Sequence, residues 1–468
     1  MDPVGSTVLE SKRTTNSGIF GRISDYSERK LFIVFFVMMA ALVVENSISQ
    51  VSDKVTDQIV SFWGLVLFIV IAAVYGVGQF FMLEIVKSKT RLRTSSGSMR
   101  TSESIITIVQ YVLTSVVVFI ILQMLFSSQY QKDLLIVSTT ISISVVVFLT
   151  VLLSKKLLSW YRMHRQPIVL IFGLATAGIV FFTMGKLIWA DSLLLAREPV
   201  ISANTEIIWY PDLEQDSPLP YVLLVLHQSQ TAYMLLLWGG AVLLLYHNLR
   251  RIGKARFWIL VGFPIVSLVS HLVYYYLDIG LTGVVADPMS PPYQVVATLL
   301  LLYSGIAVGI VIGLGFVLIG RFLKHGTDAR AYMIIAGLGF MIFSNTSISA
   351  VFQTPYPPYG IASLSSLPLS MFMIVVGLSY SAISIAQDQK LRQIVRKSAQ
   401  DMKFLESIGR AQMEQEMKST VMQIFQTNAE TLAEQSSGVQ PSLSNEEIQQ
   451  YLDQVIEEVR LSNKPQRG

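Results

Sequence analysis

The sequence predicts an all-α protein: a polytopic transmembrane helix bundle of about ten spans, with both termini cytoplasmic and a helical cytoplasmic tail. Three observations carry this. The chain of 468 residues is 52% hydrophobic and only 14% charged, against about 25% charged in typical soluble proteins. Apolar runs of about 20 residues, the length that crosses a bilayer, recur along it. Basic residues collect in every second connection between those runs.

Residues 1–29 are Ser/Thr-rich and mixed in charge, and are expected to be a cytoplasmic segment. They are too long for a signal-peptide n-region, the apolar run after them is too long for an h-region, and no A-x-A site follows, so an uncleaved first span is expected. The ten spans fall at 30–49, 59–86, 105–126, 134–154, 167–190, 221–246, 257–277, 295–322, 331–352 and 361–386, making 30–386 the membrane domain. Each is long enough to cross a core about 30 Å thick.

The connections set the orientation. The second, fourth, sixth and eighth are basic, through residues such as Lys87, Arg91, Lys155, Arg162, Arg250, Arg256, Arg321 and Lys324, whereas the odd ones carry only Lys54, Lys132 and Arg197. This alternation places the termini in the cytoplasm. The net charge of +4 follows from those basic loops, and no nucleic-acid partner is expected. On the outer side, the acidic 191–220 loop and the proline-tyrosine stretches ending at Tyr293 and Tyr359 suggest interfacial aromatic anchors or a ligand-facing lid. In span eight, Gly305, Gly309 and Gly313 recur every four residues, the spacing of a close helix–helix contact. Pro264 is expected to kink span seven.

The chain has no cysteine, so disulfides and thiolate chemistry are excluded. Signatures for phosphate loops, zinc proteases, serine hydrolases and dinucleotide binding are absent. No enzyme, no catalytic residue and no cofactor is expected. The residues that invite a site are polar groups inside spans. His227 and His271 lie at similar depth, roughly 10 Å below the outer surface, and Gln230, Lys186 and Asn345 share that depth. Intramembrane polar groups face a cavity or a partner helix. Three readings stay open: interhelical hydrogen bonding between spans five, six, seven and nine; an outer polar pocket for a ligand or transported solute; and a bis-His haem or metal site at His227 and His271.

Residues 387–468 form the tail. With no glycine or proline break after Gly377, span ten is expected to run on as one helix into it. Leu405, Ile408, Met413, Met417, Val421 and Ile424 recur in helical steps, and Ser444 and Glu447 open a second short helix through a capping box. That stripe needs cover: a coiled coil between copies, the second tail helix, or the inner membrane surface.

The runs Pro355-Tyr-Pro-Pro-Tyr-Gly-Ile-Ala-Ser-Leu-Ser365, Leu378-Ser-Tyr-Ser-Ala-Ile-Ser-Ile-Ala-Gln-Asp-Gln-Lys-Leu-Arg392 and Ser407-Ile-Gly-Arg-Ala-Gln-Met-Glu-Gln-Glu416 resemble uncharacterised polytopic membrane proteins of ammonia-oxidising archaea. The resemblance covers the last two spans and the early tail. It implies an archaeal cell membrane and carries no residue roles. The expectation is a non-enzymatic membrane sensor or scaffold with a cytoplasmic helical output, with a small-solute transporter as the alternative. Its expected partners are the lipid bilayer and either a cytoplasmic protein or a second copy met through the tail.

Overall fold

The computed structural model describes residues 28–51, 61–90, 97–203, 205, 219–281, 291–323, 327–347, 356–388, 392, 403–435 and 454. They are almost entirely helical. α1 (Glu28–Val51), α2 (Phe62–Thr90) and α3 (Gly97–Ser127) lead to the short strand β1 (Gln129–Gln131) and the long α4 (Lys132–Met163). α5 (Pro167–Leu195) has its proline in the first turn, where the missing N–H would have no helical partner anyway. Strand β2 (Val200–Ser202), α6 (Leu219–Tyr246), the single turn α7 (Leu249–Ile252) and α8 (Lys254–Leu281) follow. The chain closes with α9 (Pro291–Phe322), α10 (Asp328–Thr346), α11 (Ile361–Gln387) and α12 (Lys403–Gln435).

Each predicted span lies on one of these helices. Among the described residues, seven helices (α1 to α6 and α11) are long and apolar enough to cross a membrane. Large apolar side chains such as Phe36, Trp63, Phe126, Phe181 and Ile259 are more than half exposed on outward faces. Water would penalise such a belt, whereas lipid is its natural solvent. The chain is a multi-pass helical membrane protein. Several boundaries shift; α3, for instance, starts at Gly97 and α5 runs on to Leu195. α4 continues through Lys155, Lys156 and Arg162, which the sequence places in a connection. α10 stops at Thr346, short of 352.

α11 is the centre of the bundle. Every residue from Ile361 to Ala382 is buried, and α1, α2, α3, α4, α10 and α12 all pack on it. α9 and α10 meet through small residues. A Cβ on Gly309 would overlap Ser344, and one on Gly313 would overlap Met341 and meet the Gly337 carbonyl. The repeat in span eight is therefore a packing face inside the bundle. On α11, Gly377 likewise lets the Ala336 and Tyr332 backbone approach.

Two contacts mark the basic end of the bundle: the Tyr332 hydroxyl donates to the Lys89 carbonyl at 2.9 Å, and Arg321 sits 5.5 Å from the Phe32 ring. The opposite end carries a small antiparallel sheet, with β1 Tyr130 paired to β2 Ile201. Tyr356 stacks on Tyr130 at 6.5 Å, and Phe68 meets Tyr359 edge-on at 5.5 Å. Tyr356 and Tyr359 are thus core residues that close this end, where the sequence suggests interfacial anchors.

The predicted continuous helix from span ten into the tail is corrected. α11 ends at Gln387, and Asp388 is extended (φ −92°, ψ 108°). Helix resumes by Arg392, whose N–H bonds to the Asp388 carbonyl at 2.9 Å, and α12, from Lys403, packs back on α11, α4 and α5. Phe404, Leu405, Ile408 and Ala411 are buried there, and the Phe404 ring lies 5.6 Å from both Phe172 and Phe316. Burying these apolar side chains outweighs the local tendency to extend one helix. The first turns of α12 are covered by the bundle itself, a partner that periodicity does not reveal. The second tail helix predicted near 444–459 lies outside the described residues.

Candidate functional site

The site is organised by the start of α11. A helix leaves its first N–H groups without intrahelical partners. The N-cap here is Gly360, with φ 96°, a conformation suited to glycine, and it offers no side chain to cap them. Glu45, fully buried on α1, supplies the cap from a distance. One carboxylate oxygen accepts from Gly360 N at 2.9 Å and Ala362 N at 3.0 Å. The other accepts from Ser363 N at 2.9 Å and Ser363 Oγ at 2.6 Å. The Ile361 N–H goes to the Pro358 carbonyl at 3.3 Å. Every N–H of the first turn is satisfied, and the carboxylate faces the positive end of the helix dipole.

Around this cap runs a seam of polar side chains. Asn46, next to Glu45, donates to the Asn345 carbonyl at 2.7 Å and to Asn345 Oδ1 at 3.0 Å. Tyr75 and Gln79 lie one turn apart on α2 and share a face. The Tyr75 hydroxyl is 2.8 Å from Ser366 Oγ, and Gln79 donates to Ser365 Oγ at 2.7 Å. Gln110 of α3 bonds to Gln79 Oε1 and to the Ser365 carbonyl. Proline at position 368 has no N–H to return to the carbonyl of Leu364. Ser142 of α4 fills that role, donating to the Leu364 carbonyl at 2.7 Å.

Two of the residues that the sequence singles out, Lys186 and Asn345, sit beside this seam. The Lys186 ammonium donates to the Ser347 carbonyl at the C-terminal end of α10, where the helix dipole favours a cation. Asn345 is fully buried on α10 and joins Asn46. Its Nδ2 has no partner among the described residues. Lys186 and Asn345 therefore both reach the end of α10. Gln230 is half-buried on α6. The backbones of His227 and His271 are helical, in α6 and α8, and their side chains lie outside the described residues, as does any haem or metal contact between them. Among the described residues, no group of His, Asp and Glu has the arrangement of a metal site.

Sequence reasoning missed Glu45, Gln79, Gln110 and Ser142. The available signal was the adjacent Glu45-Asn46 pair, the one-turn spacing of Tyr75 and Gln79, and Ser363, Ser365 and Ser366 around a proline. Each is an intramembrane polar group with a cost to offset. A search weighted to histidine passes over amides and hydroxyls.

At the closed end, Arg197 and Tyr130 are both buried. Burial lowers the Arg197 pKa, against the opposing influence of Tyr130. Burial pushes the Tyr130 hydroxyl up. Burial, and next the charge of Glu45, also push up the Tyr359 hydroxyl, which keeps its proton as donor to the Gly64 carbonyl at 2.5 Å. The arrangement ties α1, α2, α3 and α4 to the start of α11. Comparison with protein-family models, with curated proteins and with solved structures found no match to this chain.

Proposed function

We propose that this protein is a non-enzymatic sensor or scaffold of the cell membrane, spanning it about ten times with its basic end and both termini in the cytoplasm. The resemblance noted in the sequence assigns that membrane to an archaeon. The observation that carries the reading is the double engagement of α11. Its outer end is held by Glu45 and its inner end bears on α12, where a Cβ on Gly409 would overlap Ile385. α11 is about 40 Å long and surrounded by protein, so a displacement at the Glu45 cap is passed to α12 as a rigid-body shift. α12 then presents the output to a cytoplasmic partner or a second copy.

Hydrogen exchange on the full chain tests this. Glu45→Gln is expected to raise exchange in 403–411 as well as at the start of α11. An unchanged 403–411 segment would sink the relay. The transporter reading retains one observation, the unpartnered Asn345 Nδ2 beside the Lys186 contact. It predicts solute uptake in liposomes that survives removal of residues 401–468.

A further inference from the structure

A groove of about 550 Å³ lies between α4 and α5 on the outside of the bundle, toward the basic end. Its size is in the range of small-molecule sites. Lys155, Ser159 and Arg162 line it from α4; Ala177, Val180 and Phe181 line it from α5. The α4 residues follow steps of four and three, so they form one row on a single helix face. Arg162 stands in the last turn of α4, and Lys155 lies about 10 Å deeper along the axis. Ala177 lies about 15 Å into α5 from Pro167. The groove therefore begins with two cations and a hydroxyl and continues as an apolar wall, with Phe181 72% exposed toward the lipid side.

Among the described residues neither Lys155 nor Arg162 has an ion-pair partner. The contrast is Lys156, one residue on, which stacks over Trp160 at 5.2 Å and feels the charge of Glu416 from α12. Lys155 and Arg162 instead face the groove, and their long stems let the charges reach headgroup level. Guanidinium and ammonium groups above an apolar channel at the cytoplasmic end of a bundle match a lipid phosphate above its chain.

We infer that the α4–α5 groove is a binding site for a phospholipid with an anionic headgroup. Arg162, Lys155 and Ser159 hold the phosphate, and an acyl or alkyl chain lies along Ala177, Val180 and Phe181. The inference stands apart from the sensor reading and uses none of its residues.

Native mass spectrometry of the full chain, released from detergent with phosphatidylglycerol or phosphatidylcholine of matched chains, tests it. Wild type is expected to retain one phosphatidylglycerol in preference to phosphatidylcholine by about thirtyfold, the effect of two cations near a charged headgroup. The Lys155→Ala/Arg162→Ala double variant is expected to remove that preference. Ala177→Trp fills the apolar half without touching the charges and is expected to release the lipid as well. Equal retention of the two lipids by wild type would overturn the proposal without any variant. So would full retention in either variant, or displacement of the lipid by millimolar glycerol phosphate, which would show a headgroup site alone.

Discussion

Glu45 and Ser363 are 318 positions apart in the chain, yet Ser363 gives both its N–H, at 2.9 Å, and its hydroxyl, at 2.6 Å, to one oxygen of the Glu45 carboxylate. With Gly360 and Ala362 on the other oxygen, four donors converge on one buried acid. Replacing Glu45 by alanine removes the shared acceptor, at about 1–3 kcal/mol for each donor that finds no other partner; the Ser363 hydroxyl keeps Asn46 Oδ1 at 3.2 Å. Thermal unfolding in detergent is expected to show Glu45→Ala much less stable than wild type. Glu45→Gln is expected to fall between them, because the amide keeps one acceptor oxygen but turns its NH2 toward the other donors.

Ser142 and Pro368 form a coupled pair through the Leu364 carbonyl. Ser142→Ala strands that carbonyl and is expected to cost about 1–2 kcal/mol. Pro368→Ala restores an N–H four residues on. In a double-mutant cycle the second change is expected to cancel most of the first. Strict additivity would show that the Ser142 bond does not stand in for the missing one.

The helix glycines range from tightly enclosed to open. Gly309→Val and Gly313→Val drive side chains into Ser344 and Met341 and are expected to destabilise by about 1–3 kcal/mol or more. At Gly239 an added Cβ meets nothing within 4 Å. Gly239→Ala is expected to stabilise by about 0.5–1 kcal/mol through helix propensity alone. Paired melting curves decide both.

Phe404 holds α12 in place. Phe404→Ala removes the ring that touches Phe172 and Phe316 and is expected to weaken local docking by about 3 kcal/mol. Limited proteolysis is expected to cut near the start of α12 in the variant and spare it in wild type, while α1 to α11 keep their melting temperature. Joint loss of both would show that α12 is part of the cooperative core.

Much of the fold was legible. Hydropathy located a helix for each predicted span, and the glycine repeat at Gly309 and Gly313 indicated a close contact. The site was less so. Lys186 and Asn345 were visible as intramembrane polar residues; Asn345 lies near the end of α10, and Lys186 reaches that end from α5. Their pairing with Ser347 and Asn46 was not, because a hydrogen bond from α5 or α1 to the end of α10 has no local sequence trace. The break after Gln387 was hidden for a related reason. No glycine or proline marks the break at Asp388, and the burial of Phe404 and Leu405 against the bundle is a tertiary gain with no local trace.

By itself the sequence determined that this is a helical membrane protein and where its helices run, because length and apolarity decide what crosses a bilayer. Only the tertiary structure decided that α11 is the central helix and that its start is an anion site filled by Glu45. The physical reason is that lipid chains and protein interiors are nearly equally apolar. Hydropathy therefore reports that a helix leaves water, and is silent on whether its neighbours are lipid or other helices. Which neighbours surround α11 depends on where small and polar groups find complementary partners, and those partners are spread from Glu45 to Phe404.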